Sequence, residues 1–185
     1  MIPENEQELI KKIAGGDEEC FEKIVDEYKN KIYNFSLNML YNKEDAQEAA
    51  MEVFYRFYKD IRRFNGRCKI STYLYQIAKN LCKDILKKKK IKTMPLDGIN
   101  DIISDNDTPE EIYLEKEKQK EAISAISRLN DNYREVLILR ELEGFSYEEI
   151  ADILKQNLNT IKTNIKRARE LVLSRATLKK GSDEK

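Results

Sequence analysis

Residues 141–172 constrain this chain more than any other stretch. Ser146 followed by Glu149 is a capping box, because the hydroxyl and the carboxylate each satisfy an orphan amide at a helix start. The pair fixes a helix onset near residue 147. Ile150, Ile153 and Leu154 then form an apolar stripe, and Ala151 is small enough for a second helix to cross closely. Lys155, Gln156 and Asn157 break the pattern. Beyond them Leu158, Ile161, Ile165, Ala168 and Val172 recur at helical spacing, leaving Asn159, Thr160, Lys162, Thr163, Asn164, Lys166 and Arg167 outward. A short-linked helix pair whose second member is polar and basic outside is how a helix-turn-helix addresses a major groove. Lys162, Lys166 and Arg167 suit phosphates, and Asn159, Thr163 and Asn164 suit base edges.

A solvated helical hairpin would also carry charge, but it would mix the signs. Here eight Lys or Arg stand against one acid, Glu170, in residues 155–180, whereas residues 112–152 hold ten acids and six bases. The zero net charge of the chain hides this segregation. Residues 1–92 carry 19 bases and 15 acids, and residues 93–111 carry six acids and no base. That acidic stretch, with two Pro and one Gly, cannot form a core and reads as an extended linker. The expected organisation is all-α: a helical domain over 1–92, the linker over 93–111, a second helical domain over 112–178, and a tail over 179–185.

Within the first domain, Phe21, Ile24, Val25 and Tyr28 open one amphipathic helix, continued by Ile32, Phe35 and residues 37–40. A second, over about 44–61, aligns Ala46, Ala50, Val53, Phe57 and Ile61. Asn65-Gly66 marks a tight turn. A third, over about 71–90, buries Leu74, Ile77, Ala78, Leu81 and Ile85, while Tyr73, Gln76, Asn80, Lys83 and Lys87 share another face. Residues 56–92 hold 13 bases against Asp60 and Asp84, interleaved with aromatic residues. Unpaired nucleotides suit such a surface, since each base offers a face to stack and each phosphate a charge to neutralise. Phe57 has the phase of a core residue, and Tyr73 the phase of the polar face.

Catalytic readings fail early. The chain has no histidine, no Gly-rich phosphate loop and no nucleophile elbow, and its paired acids at 18–19 and 148–149 diverge on a helix. Cys20, Cys68 and Cys82 form no CxxC pair, so neither a zinc site nor any other metal or cofactor is expected. Scattered thiols, and the lack of an apolar signal core or spanning segment, place the expected site of action in the cytoplasm, without membrane insertion.

Taken in order, the motifs resemble the extracytoplasmic-function sigma factors of bacteria. Gly16-Asp17-Glu18-Glu19 with Phe21 resembles the family's opening helix. Glu44-Asp45-Ala46, Glu52-Val53-Phe54 and Arg56 are similar to its polymerase-binding segment. Phe64-x-Gly66 and Thr72-x-Leu74-Tyr75-x-Ile77-Ala78-x-Asn80 are similar to its promoter-melting segment. Ile150-Ala151, Thr160-x-Lys162 and Arg167-Ala168-Arg169 complete the series.

The resemblance implies a subunit that joins core RNA polymerase and directs it to promoter DNA. Asp45, Glu48, Met51 and Glu52 would face the clamp helices of the largest subunit, and the second domain the flap of the second-largest. Asn65, Arg67, Cys68 and Lys69 would capture an unstacked base of the −10 element, beside Tyr73, Gln76, Asn80 and Lys83. The helix-turn-helix would read the −35 element, the acidic linker would occupy the RNA exit channel, and an anti-sigma factor is an expected partner. Lys155 stands where the family often has Gly, so Asn157 is expected to take the left-handed conformation. Asn164 stands where Arg is frequent, which shifts preference from guanine toward adenine edges. A rival reading is an independent operator-binding regulator. Its receiver domain would alternate strands and helices, which residues 17–92 do not.

Overall fold

The computed structural model describes residues 4–92, apart from 65 and 67, and residues 125–180. The proposed linker at 93–111, residues 112–124 of the expected second domain and residues 181–185 of the expected tail at 179–185 lie outside the described residues, while residues 179 and 180 continue the last helix. The α-helices that carry the fold among the described residues are α1 Glu4–Ala14, α2 Glu18–Leu40, α3 Lys43–Asp60, α4 Ile70–Lys92, α5 Asp131–Leu137, α6 Tyr147–Leu154 and α7 Leu158–Lys180. A 3₁₀ turn, Ile61–Arg63, closes α3, and a π-helical turn, Ile138–Leu142, extends α5. The described residues contain no strand.

Local chemistry sets the helix ends. Asp17 accepts from the Cys20 amide at 3.0 Å and Glu18 and Glu19 occupy the first turn of α2, where carboxylates favour the positive end of the helix dipole. The helix stops at Tyr41, in the left-handed region at φ 53°, whose amide bonds the Leu37 carbonyl at 2.9 Å. Asn42 then caps α3 by accepting from the Asp45 amide at 2.8 Å. Helix α1 is an addition to the sequence reading. It buries Ile10 and Ile13, and its Glu6 carboxylate accepts from the Ile70 amide at 3.0 Å, capping α4 from another helix. No local pattern announces a cap supplied from 64 residues away.

In the first domain α2, α3 and α4 close around Ile32, Phe35, Met39, Val53, Phe57, Leu74 and Tyr75, all buried. Ala46, Ala49 and Ala50 are also buried, so one side of α3 is smooth and admits its neighbours closely. The second domain packs Val136 to Leu139 of α5 and its π turn against Ile150, Ile153, Ile161, Ile165 and Ala168. Arg134 is buried in it and bonded through both terminal nitrogens, while its Nε has no hydrogen-bond partner among the described residues. Its Nη2 donates to the carbonyls of Ser127 and Leu129, each at 2.8 Å, and its Nη1 to Asp131 at 3.3 Å.

The two apolar interiors are continuous. Phe145 meets the buried Tyr75 edge-on at 4.8 Å between centroids, and Tyr75 meets Phe35 edge-on at 5.2 Å. The Arg134 guanidinium lies 5.3 Å from the centre of the Tyr41 ring, a cation–π contact from the second domain to the first.

Candidate nucleic-acid and polymerase surfaces

The capping box forms as the spacing requires. Ser146 Oγ accepts from the Glu149 amide at 3.1 Å, and Glu149 Oε2 accepts from the Ser146 amide at 3.0 Å. Helix α6 buries Ile150, Ile153 and Leu154 and ends at Lys155. Here one expectation is corrected: Lys155 itself takes the left-handed conformation, at φ 53°, and Asn157 does not. A single left-handed non-glycine residue carries a modest penalty, and the αL cap offsets it, since the Lys155 amide bonds the Ala151 carbonyl. Asn157 instead turns its side chain onto the next helix and accepts from the Asn159 amide at 2.8 Å.

On α7, Ile161, Ile165 and Ala168 are buried, while Asn159, Thr160, Lys162, Thr163, Lys166 and Arg167 are exposed and Asn164 is half-buried. Thr163 Oγ1 donates to the Asn159 carbonyl at 2.9 Å, which fixes its rotamer and turns its acceptor lone pairs outward. Arg169 is held at the rim by Glu141, Nη2 to Oε1 at 2.6 Å, and that carboxylate raises its pKa. The result is an open basic face on a fixed helix.

The polar face of α4 is different. Asn80 and Lys87 are exposed as expected. Tyr73, however, lies half-buried, stacked on Phe64 at 4.7 Å and tilted against Phe57 at 6.2 Å. Gln76 donates from Nε2 to the Asp152 carbonyl at 2.9 Å. Lys83 Nζ lies 3.0 and 2.8 Å from the two carboxylate oxygens of Glu135, a fully buried residue. Just ahead of the helix, Lys69 Nζ meets Glu149 Oε1 at 2.8 Å. Cys68 is half-buried, and burial, then the negative charge of Asp152, pushes its thiol up. Asn65 and Arg67 lie outside the described residues. Thus Lys69, Gln76 and Lys83 are gathered on one surface, and the second domain already engages all three.

The sequence reading missed the groups opposite. Burial raises the pKa of Glu135, with Lys83 opposing the shift; burial also raises Glu143, whose carboxylate accepts a hydrogen bond from Tyr75. Burial and the same carboxylate push the Tyr75 phenol up. Glu149 is held low, first by Lys69 and then by the Ser146 amide. A buried acid in a helix cannot be told from a surface acid by sequence spacing alone, and that is why these were overlooked.

The third surface is α3. Glu48 is exposed, Glu52 pairs with Arg56 at 2.7 Å, and Asp45 pairs with Lys89 of α4. Between them Met51 and Tyr55 stand about 60% exposed, at 61% and 59%, with Tyr58 beyond at 42%. An acid-rimmed apolar patch of this kind on one helix is out of place on an unpartnered surface.

Comparisons with known proteins decide what these surfaces belong to. Residues 24–91 match the model of Sigma-70 region 2, and residues 119–172 that of Sigma-70 region 4. The chain is 37% identical over 170 residues to the ECF RNA polymerase sigma factor SigW of Bacillus subtilis, an alignment covering 87% of this chain and 91% of the relative. The chain belongs to the ECF sigma factors. It is also 30% identical to the ECF RNA polymerase sigma-E factor of Haemophilus influenzae, over 90% of this chain and 93% of that one. Among solved structures, CnrH in complex with the cytosolic domain of CnrY has a TM-score of 0.71 at 17% identity, covering 94% of this chain and 97% of the other. The sigma factor RpoE of Bartonella quintana, in complex with the anti-sigma factor NepR, gives 0.65 at 19%, over 83% and 94%. These likenesses speak for the fold. As an RNA polymerase sigma factor, the chain is a transcription initiation factor, and among its described residues no helix is long and apolar enough to cross a membrane.

Proposed function

We propose that this sigma factor holds promoter DNA at two places, with different chemistry at each. The observation that carries the reading is the exposed basic face of α7, set on a helix whose opposite face is buried and whose partner α6 is fixed by a capping box. The domain at 112–178 reads the −35 duplex, with Lys162, Lys166 and Arg167 on phosphates and Asn159, Thr160, Thr163 and Asn164 toward base edges. The domain at 1–92 takes the −10 element as single strand, with Tyr73, Gln76, Asn80 and Lys83 beside the 65–69 loop. Unstacking a base costs a few kcal/mol, and capture in that loop offsets it. The protein contributes no catalysis of its own and acts in the cytoplasm.

Asp45, Glu48, Met51 and Glu52 form the polymerase contact at the clamp helices, an acid-rimmed surface with an apolar centre. Exposed Leu142, Leu171 and Leu173 on the second domain suit the flap. The acidic stretch at 93–111 connects the two grips through the RNA exit channel. Because solved relatives of this fold include a complex with an anti-sigma factor, an anti-sigma factor is the proposed inhibitor.

The test is Asn80→Ala. Asn80 is exposed, so holoenzyme assembly should be unchanged while promoter opening, read by permanganate reactivity of unpaired thymines, falls several-fold. Equal loss of assembly and opening would refute the assignment.

A further inference from the structure

Helix α4 begins on an unsuitable residue. Its first helical bond runs from the Tyr73 amide to the Lys69 carbonyl at 3.1 Å, which puts Lys69 in the capping position. A lysine side chain has no acceptor to offer the amides of the first turn, and its cation stands at the helix end where positive charge is unfavourable. Its Nζ is drawn aside to the Glu149 carboxylate, 2.8 Å away. Ile70, the next residue, is buried, so water is a poor substitute for a cap and an amide left without a partner there is costly.

Glu6 supplies what the local sequence withholds. Its Oε2 accepts from the Ile70 amide at 3.0 Å, and its carboxylate brings negative charge to the same helix end. That charge also helps to raise the pKa of Cys68, behind burial and Asp152, and of Lys69, behind Glu149. The helix that carries Glu6 is itself seated firmly. Ile10 and Ile13 are buried, and α1 packs on α2 and on the 3₁₀ turn that closes α3. From that turn Arg62 donates through Nε to the Ala14 carbonyl at 3.3 Å, one of the orphan acceptors at the end of α1, where a cation is favoured. Glu6 and Ala14 stand about 12 Å apart along the helix axis. One short helix therefore fastens the chain at Arg62 and again at Ile70, on either side of the promoter-melting turn.

We propose that Glu6 is a positioning residue for −10 recognition: through the Ile70 amide it fixes where α4 starts, and so where Lys69 and Tyr73 stand relative to the unpaired strand. The inference rests on the proposed −10 role of α4 and adds a residue, remote in sequence, that sets its accuracy. Glu6 itself touches no DNA. Without it the first turn of α4 frays, and the groups on that turn are offered over a range of positions. The polymerase surface of α3 and the basic face of α7 stay as they are. Discrimination suffers most, because a wrong base is rejected only by groups that are held in place.

The experiment compares Glu6→Ala, Glu6→Gln and Glu6→Asp in the full-length chain, assembled with core RNA polymerase. Each is tried on a promoter that the wild-type holoenzyme opens and on single-base variants of its −10 element. Permanganate reactivity reads opening, and the ratio between parent and variant promoters reads discrimination. That ratio cancels the fraction of active protein, so a merely destabilised domain does not move it. Glu6→Ala should cut opening of the parent several-fold and narrow the ratio about threefold or more, with holoenzyme assembly unchanged. Glutamine keeps the reach and an acceptor oxygen, and should narrow it by less than about twofold. Aspartate keeps the charge but falls short of the amide, and should behave as alanine does. Ile32→Val, which thins the buried core on α2, controls for stability and should leave the ratio alone. In the free protein, hydrogen exchange at the Ile70 amide should quicken about tenfold in Glu6→Ala, while amides in the middle of α4 keep their rates.

An unmoved ratio in Glu6→Ala, or one narrowed as far by Ile32→Val, would overturn the proposal. So would an unaltered exchange rate at Ile70, or a loss of assembly in step with opening. Asn80→Ala run alongside separates the two readings. If it lowers opening while Glu6→Ala leaves the ratio intact, only the positioning role falls; if neither variant affects opening, the −10 role of α4 falls as well. Where circular dichroism finds Glu6→Ala unfolded, the other two variants decide. Aspartate well below glutamine would support the proposal, and aspartate equal to wild type would overturn it.

Discussion

Helices α4 and α7 are each 23 residues long, each rich in Lys, and each bears a polar face assigned to DNA, yet one face is covered and the other open. On α7 the residues opposite Ile161, Ile165 and Ala168 meet solvent. On α4 Gln76 and Lys83, and just ahead of it Lys69, meet a second domain, which supplies a carbonyl of Asp152, Glu135 and Glu149, while Asn80 and Lys87 stay exposed. The helices themselves do not differ in kind. What differs is the chemistry that the rest of the chain can bring to them, and carboxylates can be brought only to the basic face that lies within reach of the α5 and α6 acids.

The comparison can be broken hardest at Lys83. Lys83→Ala leaves the buried Glu135 carboxylate without its cation, and removing one partner of such a pair is expected to lower stability by roughly 3 kcal/mol, less whatever Glu135 recovers by taking a proton. Urea unfolding at neutral pH checks it, and Lys83→Ala with Glu135→Leu should recover much of the loss. An undisturbed midpoint in the single variant would mean that α4 is no more engaged than α7.

At the open helix the same type of change should act on DNA alone. Lys166 is exposed, so Lys166→Ala should leave the urea midpoint within about 0.5 kcal/mol of wild type. Holoenzyme affinity for promoter duplex should fall for all sequences alike, and the slope of log affinity on log salt should shrink by about 1. A loss confined to particular −35 sequences would instead make Lys166 a base reader.

The smallest effect sharpens the comparison within the covered face. Glu135 and Glu143 are raised by burial above the ordinary 4.5, whereas Glu149 is lowered below it by Lys69 and the Ser146 amide. For the first two, the folded protein binds protons more tightly than the unfolded chain between 4.5 and the raised value. They therefore add stability as pH falls through that window. For Glu149 the sign reverses: its contribution is complete above 4.5 and is lost as pH falls through the lowered value. Carboxyl carbon-13 NMR should find two groups titrating above 4.5 and one below. Three coincident titrations would dissolve the distinction between deep and rim contacts.

Much of this architecture was legible from local chemistry. The capping box at Ser146 and Glu149, the apolar phases of α3, α4 and α7, and the outward set on α7 follow from spacing and hydrogen-bonding capacity, which act within one or two turns. The left-handed residue at the end of α6 was misassigned to Asn157, because propensity favours Asn whereas position in the cap decides, and Lys155 occupies that position. Helix α1 escaped because its apolar residues are few and its function is to cap α4 from a distance.

By itself, then, the sequence determined that the chain is helical, where most helices begin, which faces are apolar, and which side chains have the chemistry to meet DNA, since each of these depends on neighbours along the chain. Only the tertiary structure decided which of those side chains are available. Lys83 and Lys166 look alike in sequence, each a lysine on the polar side of a long helix. One faces a carboxylate 52 residues away and the other faces water. Pairing of that kind is a matter of distance in space, where electrostatic energy is set, and spacing along the chain does not encode it.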